Sequence, residues 1–256
     1  MGKHFKQKNK IITIMSILRV IFLITLIISI YYIAEWYIDN KQNQLIKEKI
    51  SDAVKIENIQ TEGEKEAFYK VDFNQLKQIN NETIAWLKVN GTDIQHSVVK
   101  TNNNSYYLNH NFEKKKNKAG WIFADYKNKF DGTDKNIVIY GHNMKDNSMF
   151  GTLKNVLEET WYNNKENHIV QLVTENEQQK YQVFSAYKIK NEDYYINTEF
   201  KNNEFGKFVS TLKNRSIKDF NIEVTEQDNI LTLSTCANNN KERIVLHAKK
   251  LDVKWF

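Results

Sequence analysis

Residues 11 to 34 form an apolar run broken by Arg19 and a few small polar residues. As a helix, such a run spans about 36 Å, enough to cross a hydrocarbon core of about 30 Å. Tyr31, Tyr32, Trp36 and Tyr37 gather at its far end, as aromatic residues do at a membrane interface. Lys3, Lys6, Lys8 and Lys10 precede the run, which predicts residues 1–10 as a cytoplasmic tail, 11–34 as a transmembrane anchor and the remainder exported. A cleaved signal peptide is the rival reading. The run is too long for one, and no small-x-small cleavage site follows.

Beyond the anchor the pattern changes period several times. Ile46, Ile50 and Val54 recur at four-residue steps in polar surroundings, which predicts a stalk or first helix within 35–65. Phe73, Leu76 and Ile79 predict a short amphipathic helix within Phe68 to Ile79. Ile84 to Val89 and Ile94 to Lys100 read as strands joined through a tight turn at Asn90-Gly91. Ile137 to Tyr140 suits a buried strand, and Ser148 to Leu157 a short helix. Ile169 to Thr174 and Tyr181 to Ile189 read as a hairpin through the polar Glu175 to Lys180. An excursion of about forty residues follows, with Phe205, Phe208, Val209 and Leu212 on one face of a helix over Phe200 to Lys213. Ile230 to Cys236 is a strand, Ala237 to Glu242 a polar loop, and Arg243 to Ala248 a second strand.

Length and composition narrow the class. The chain has 256 residues, and what remains after the anchor suffices for one domain, placed at 66–256, with its own core. Net charge is +6, and the 32 basic and 29 acidic residues beyond residue 40 leave +3, well mixed. That balance gives no clustered basic patch for nucleic acid. A single cysteine excludes an internal disulfide framework and leaves one thiol in an exported domain. No proline occurs, which has no structural explanation. No metal-ligand spacing is present and no cofactor is expected.

The chemistry centres on that cysteine. If its strand pairs antiparallel with the next, Cys236 and Arg243 meet at one mouth of the sheet. A guanidinium favours the reactive thiolate and can donate to a developing oxyanion. The bland alternative for a lone cysteine is a small buried hydrophobe. Of the six histidines, His4 lies before the anchor, His168 in a polar turn and His110 in a loop, while His96 could point either way along its strand. His247 shares a strand face with Arg243 but lies about 13 Å along it. His142 follows Ile137-Val138-Ile139-Tyr140-Gly141 at a strand end, where rigid scaffolds present reactive groups.

These residues resemble those of the sortases, cysteine transpeptidases of Gram-positive cell surfaces. Thr232-Leu233-Ser234-Thr235-Cys236 with Arg243 resembles their Thr-Leu-x-Thr-Cys strand and following Arg, and Tyr140-Gly141-His142 resembles the strand that carries their His. Val98 to Leu108 is similar to a class B segment, with Ser97 and Asn103 where that class has Pro and Asp. Gly120-Trp121-Ile122-Phe123-Ala124-Asp125 is similar to its Gly-x-Ile-Phe-x-Asp strand. A helix in the long excursion is a class B feature. One departure is the Cys236-to-Arg243 loop, which is short for that class.

The resemblance implies a mainly β fold: a closed, mostly antiparallel, eight-stranded barrel with N-terminal helices and a helix before the cysteine strand. It implies His142, Cys236 and Arg243 as catalytic residues. It also points to Asn104, Leu108, Tyr195, Ile196, Ser234 and Thr235 along a substrate groove, although Leu108 could be plain core and Ser234 could simply extend its strand. The implied reaction cleaves a C-terminal sorting signal of Asn-Pro-x-Thr or Pro-x-Thr-Gly type after Thr, through a thioester. A cell-wall precursor amine of lipid II type then resolves it. The implied place is the cell membrane, single-pass, with the catalytic domain outside. A papain-like protease has Cys before His, the reverse of this order. A cysteine L,D-transpeptidase has its Arg two residues past the Cys. A catalytically inactive surface binder on the same fold is the alternative from another class, and a pilin-polymerising sortase the alternative within the family, although the Asp-Pro lid of that group needs a proline.

Overall fold

The computed structural model of the chain describes residues 2–61, 64–190, 192–201, 203–236 and 242–255, with side chains over 13–57, 68–190, 192–201, 203–235 and 242–251. It divides into two units, Met1–Gln44 and Leu45–Phe256. The first unit is helical. It belongs to α1 (Gly2–Ser51), whose stretch from Thr13 onward is long and apolar enough to cross a membrane. Its large apolar side chains, from Ile14 to Ile38, are exposed.

The second unit begins with the last turns of α1. Ile46 and Ile50 keep the helical spacing and are buried, but the helix stops at Ser51. Val54, expected on the same helix, instead opens β1 (Val54–Thr61), which pairs antiparallel with β2 (Glu64–Val71) from Val54↔Val71 to Thr61↔Glu64. This hairpin replaces the end of the expected stalk. The short helix materialises as α2 (Phe73–Ile79), where Asp72 caps the first turn by accepting from the Gln75 amide at 3.0 Å.

The barrel strands are β3 (Thr83–Val89), β4 (Gln95–Val99), β5 (Phe123–Ala124), β6 (Asn136–His142), β7 (Ile169–Val173), β8 (Glu177–Lys190), β9 (Ile230–Cys236) and β10 (Glu242–Trp255). They close in the order β10-β8-β7-β3-β4-β5-β6-β9, with β4/β5 and β6/β9 parallel and the rest antiparallel. Gly91 takes φ +66° in the turn after β3, which suits the Asn-Gly pair there. Leu87, Val98, Ile139, Leu172, Leu231, Leu233 and Leu246 fill the interior.

Several boundaries differ from the sequence pattern. The hairpin between β7 and β8 turns at 174–176, so Glu177 to Lys180, expected as loop, lie in the sheet and pair with both β7 and β10. Of the segment 120–125 only Phe123–Ala124 is a strand, and the expected helix over 148–157 is a 3-10 helix, Gly151–Leu157. A single-turn helix, α3 (Glu159–Tyr162), precedes β7, and the excursion carries α4 (Glu204–Arg215). Its Phe205, Val209 and Leu212 are buried against Phe184, Tyr187, Tyr195 and Val245 on the outside of the barrel, with Phe208 partly buried. This amphipathic stripe covers the sheet next to the cysteine strand.

Candidate active site

Strand β9 lies between β6 and β10, and this adjacency builds the site. In the parallel register of β6 and β9, His142 is the partner of Cys236. The antiparallel pairing of β10 and β9 runs as far as Val245↔Ser234, and Arg243 lies two residues past its end, on the side of Cys236. His142, Cys236 and Arg243 therefore stand at neighbouring ends of three adjacent strands, with His142 and Cys236 paired. Residues 237–241 of the expected loop, and the Cys236 side chain, lie outside the described residues.

Glycine at 141 makes the end of β6 possible. A Cβ there would sit 2.4 Å from Ile122 Cδ1 and 2.8 Å from Phe150 Cγ, so only a residue without a side chain lets these groups pack under the histidine. The chain then folds back, with the Phe150 amide donating to the His142 carbonyl at 2.9 Å. The His142 ring is half-buried, and its Nε2 lies 2.7 Å from the Leu108 carbonyl oxygen. A carbonyl can only accept, so Nε2 carries the proton and Nδ1 is the nitrogen left to exchange one.

Arg243 is held from the connection after β8. Its Nη1 donates to Asp193 Oδ1 at 3.0 Å and to the Tyr195 hydroxyl at 3.2 Å. Tyr195 is fully buried, and its hydroxyl also meets Ser234 Oγ at 2.9 Å. Thr235 is buried too; its Oγ1 accepts from the Ile244 amide at 3.0 Å, where the β9–β10 ladder gives out. Of the six groove candidates, Tyr195, Ser234 and Thr235 thus sit beneath the surface and support Arg243 and its strand. Asn104, Leu108 and Ile196 are half-buried. Asn104 donates through Nδ2 to Asp125 Oδ2 at 2.8 Å, and its Oδ1 accepts from the Tyr126 amide at 3.0 Å.

The competing histidines are accounted for by burial. His247 is enclosed, with Nε2 2.9 Å from the Tyr187 hydroxyl and Nδ1 2.9 Å from Thr232 Oγ1, and burial pushes its pKa down to about 3. It is a neutral core residue at physiological pH. Burial likewise drives His96 down to about 3, helped by Lys47 and Lys88. His168, expected in a polar turn, is instead packed against Trp161 and Phe220. His110 stacks on Tyr106 and bonds its carbonyl.

Asp193 and Asp125 escaped the sequence reading. Asp193 is one of many acidic loop residues and has no distinguishing pattern. Asp125 closes the segment similar to Gly-x-Ile-Phe-x-Asp and was read only as part of a strand.

Comparison with known proteins gives the family. The sortase domain family matches residues 87–251. Sortase B of Staphylococcus aureus (strain NCTC 8325 / PS 47) is 31% identical over 243 residues, covering 93% of this chain and 97% of that protein. Sortase B of Listeria monocytogenes is 34% identical over 182 residues, covering 70% of this chain and 73% of that protein. Among solved structures, sortase B from B. anthracis in complex with AAEK1 superposes with a TM-score of 0.71 at 33% identity over 84% of this chain and 99% of that one. The Staphylococcus aureus sortase B–substrate complex gives a TM-score of 0.66 at 34% identity, covering 70% and 84%. With a closed eight-stranded barrel and cysteine, histidine and arginine at neighbouring ends of three adjacent strands, the chain belongs to the sortases, in class B, and is a cysteine transpeptidase.

Proposed function

We propose that the enzyme cleaves a C-terminal sorting signal of Asn-Pro-x-Thr or Pro-x-Thr-Gly type after its threonine and joins the new carboxyl end to an amine of a lipid II-type cell-wall precursor. The observation that carries this reading is the row His142–Cys236–Arg243 at the end of three paired strands. The Cys236 thiolate attacks the threonine carbonyl. Arg243, held through Nη1, supplies positive charge that favours both the thiolate and the tetrahedral oxyanion. His142, oriented by the Leu108 carbonyl, protonates the leaving amine through Nδ1 and later takes a proton from the incoming one. The resulting thioester is the acyl-enzyme. The first residues of α1 carry the lysines and stay inside, which leaves the barrel outside the membrane.

The full-length enzyme in detergent, given a quenched Asn-Pro-Gln-Thr-Asn peptide and a Pro-x-Thr-Gly peptide, tests the reading. Cleavage should depend on Cys236 and His142, and an added amine should give a ligated product. Turnover of neither peptide, or cleavage that survives Cys236→Ala, would contradict it and favour a binding role.

A further inference from the structure

Behind the groove candidate Asn104 lies a buried acid that the mechanism above does not use. Asp125 follows β5 and is almost wholly enclosed. Its Oδ2 accepts from Asn104 Nδ2 at 2.8 Å and from the Tyr140 hydroxyl at 2.7 Å, and its Oδ1 accepts from the Lys127 amide at 2.9 Å. Every described contact to this carboxyl is a donor. Burial, then Asp125 itself, holds the Tyr140 hydroxyl protonated, so that partner stays a donor. Tyr140 lies two residues before His142 on β6 and is the register partner of Ser234.

The Asn104 carboxamide is therefore fixed in polarity as well as place. Its oxygen is taken by the Tyr126 amide, and one of its two Nδ2 hydrogens points to Asp125. Exchanging oxygen and nitrogen would set donor against donor at Tyr126 and acceptor against acceptor at Asp125. What the nitrogen of the side chain retains for a ligand is a single N–H, while the oxygen keeps one lone pair on the side already engaged by Tyr126. The same stretch, 104–108, is pinned at its other end by the bond between His142 and the Leu108 carbonyl. One buried carboxylate thus ties the groove wall to the strand that bears the general acid.

We infer that Asp125 is a positioning residue for substrate recognition, locking Asn104 so that it offers an N–H to a carbonyl oxygen of the sorting peptide. This rests on the sorting-signal reading for the identity of the ligand, although the lock itself does not. A donor aimed this way favours a backbone or side-chain carbonyl of the peptide and rejects a peptide N–H at the same place, because two donors would then meet in a partly desolvated groove.

The test uses the full-length enzyme with Asp125→Asn and with the exchanged pair Asn104→Asp/Asp125→Asn. The single variant should raise the peptide KM by about tenfold or more while iodoacetamide alkylation of Cys236 keeps its rate and pH profile. The exchanged pair restores complementary partners at both positions, so its melting temperature should return toward wild type. It also faces the peptide carbonyl with a carboxylate, so kcat/KM should stay low. Wild-type KM in Asp125→Asn, or recovery of kcat/KM in the exchanged pair, overturns the inference, the latter because it shows a merely structural clamp. In parallel, the Asn104 side-chain amide signal, assigned by its loss in Asn104→Ala, should be slow to exchange in wild type and fast in Asp125→Asn. Equal exchange in both overturns the lock. If wild type cleaves no Pro-x-Thr peptide while the exchange difference is present, the sorting-signal reading falls and the lock stands.

Discussion

Tyr195→Phe removes one oxygen from the support of Arg243 and leaves the ring in place. In the wild type that hydroxyl touches Arg243 Nη1 and Ser234 Oγ. Ser234 is buried and, among the described residues, keeps a long 3.5 Å contact to the Thr235 carbonyl, so it loses its good partner. Leaving a buried hydroxyl poorly satisfied costs about 1–3 kcal/mol. Arg243 keeps its ion pair with Asp193, but the Asp193 side chain is 73% exposed and that of Arg243 28%, so solvent screens the pair to about 0–1 kcal/mol. The guanidinium should thus rely more on the neutral hydroxyl than on the carboxylate. If about 1–2 kcal/mol of this positioning is expressed in the transition state, Tyr195→Phe lowers kcat/KM by a factor of about 5–30. Asp193→Ala should lower it by less than about fivefold, with an effect that shrinks as salt rises. Peptide turnover at two ionic strengths, alongside alkylation of Cys236, reads both variants. A Tyr195→Phe enzyme with wild-type kcat/KM, or an Asp193→Ala defect larger than that of Tyr195→Phe and indifferent to salt, would refute the reasoning.

Other expectations concern the barrel around the site. Gly141→Ala should lose about 1–3 kcal/mol, because its Cβ meets the Phe150 ring carbon that cannot swing away, and a melting scan should show a drop of several degrees. Thr235→Val should cost about 1–3 kcal/mol in urea unfolding by orphaning the Ile244 amide, while a larger loss would mean the whole β9–β10 end had opened. His247 and His96 both have folded pKa values of about 3, below the unfolded value, so the unfolded chain binds more protons. Stability from these two is complete above about pH 6.5 and should fall steadily from there toward about pH 3, whereas a urea midpoint flat between pH 7 and 4.5 would contradict their burial. Leu212→Ala should cost about 2–5 kcal/mol, since that side chain is fully enclosed under α4.

The proposed row of His142, Cys236 and Arg243 stood out in the sequence because each of its members ends or begins a strongly apolar strand and sits in a recognisable motif. The barrel core was legible for the same reason: β3, β4, β6, β7 and β9 are dense in β-branched residues. The hairpin β1–β2 was not, because residues 54–71 interleave Lys, Glu and Asn with few large apolar groups and no alternation declares a face. Glu177 to Lys180 misled for a related reason. Gln178 and Gln179 are buried polar residues satisfied by side-chain bonds, among them Gln178 to the Tyr69 amide and Gln179 to Glu177, and no hydropathy pattern reports that. Tyr195 shows a different limit. The motif located it near the groove, but its buried hydroxyl points to Arg243, a tertiary relation across 48 residues of chain. Asp193 carried no signal, since an acidic residue in a loop looks the same whether it faces water or holds an arginine, and the motif that ends in Asp125 did not tell that its carboxyl would be buried against Asn104 and Tyr140.

The central claim is a thioester on Cys236 formed with the help of His142. Intact-mass analysis of the full-length enzyme after mixing with a sorting peptide, without an amine, tests it most directly. The added mass should equal the peptide up to its threonine, map to Cys236, be absent in Cys236→Ala and strongly reduced in His142→Ala, and be discharged when an amine is supplied. Cleavage of the peptide with no adduct on Cys236, or an adduct that forms equally fast in His142→Ala, would contradict it.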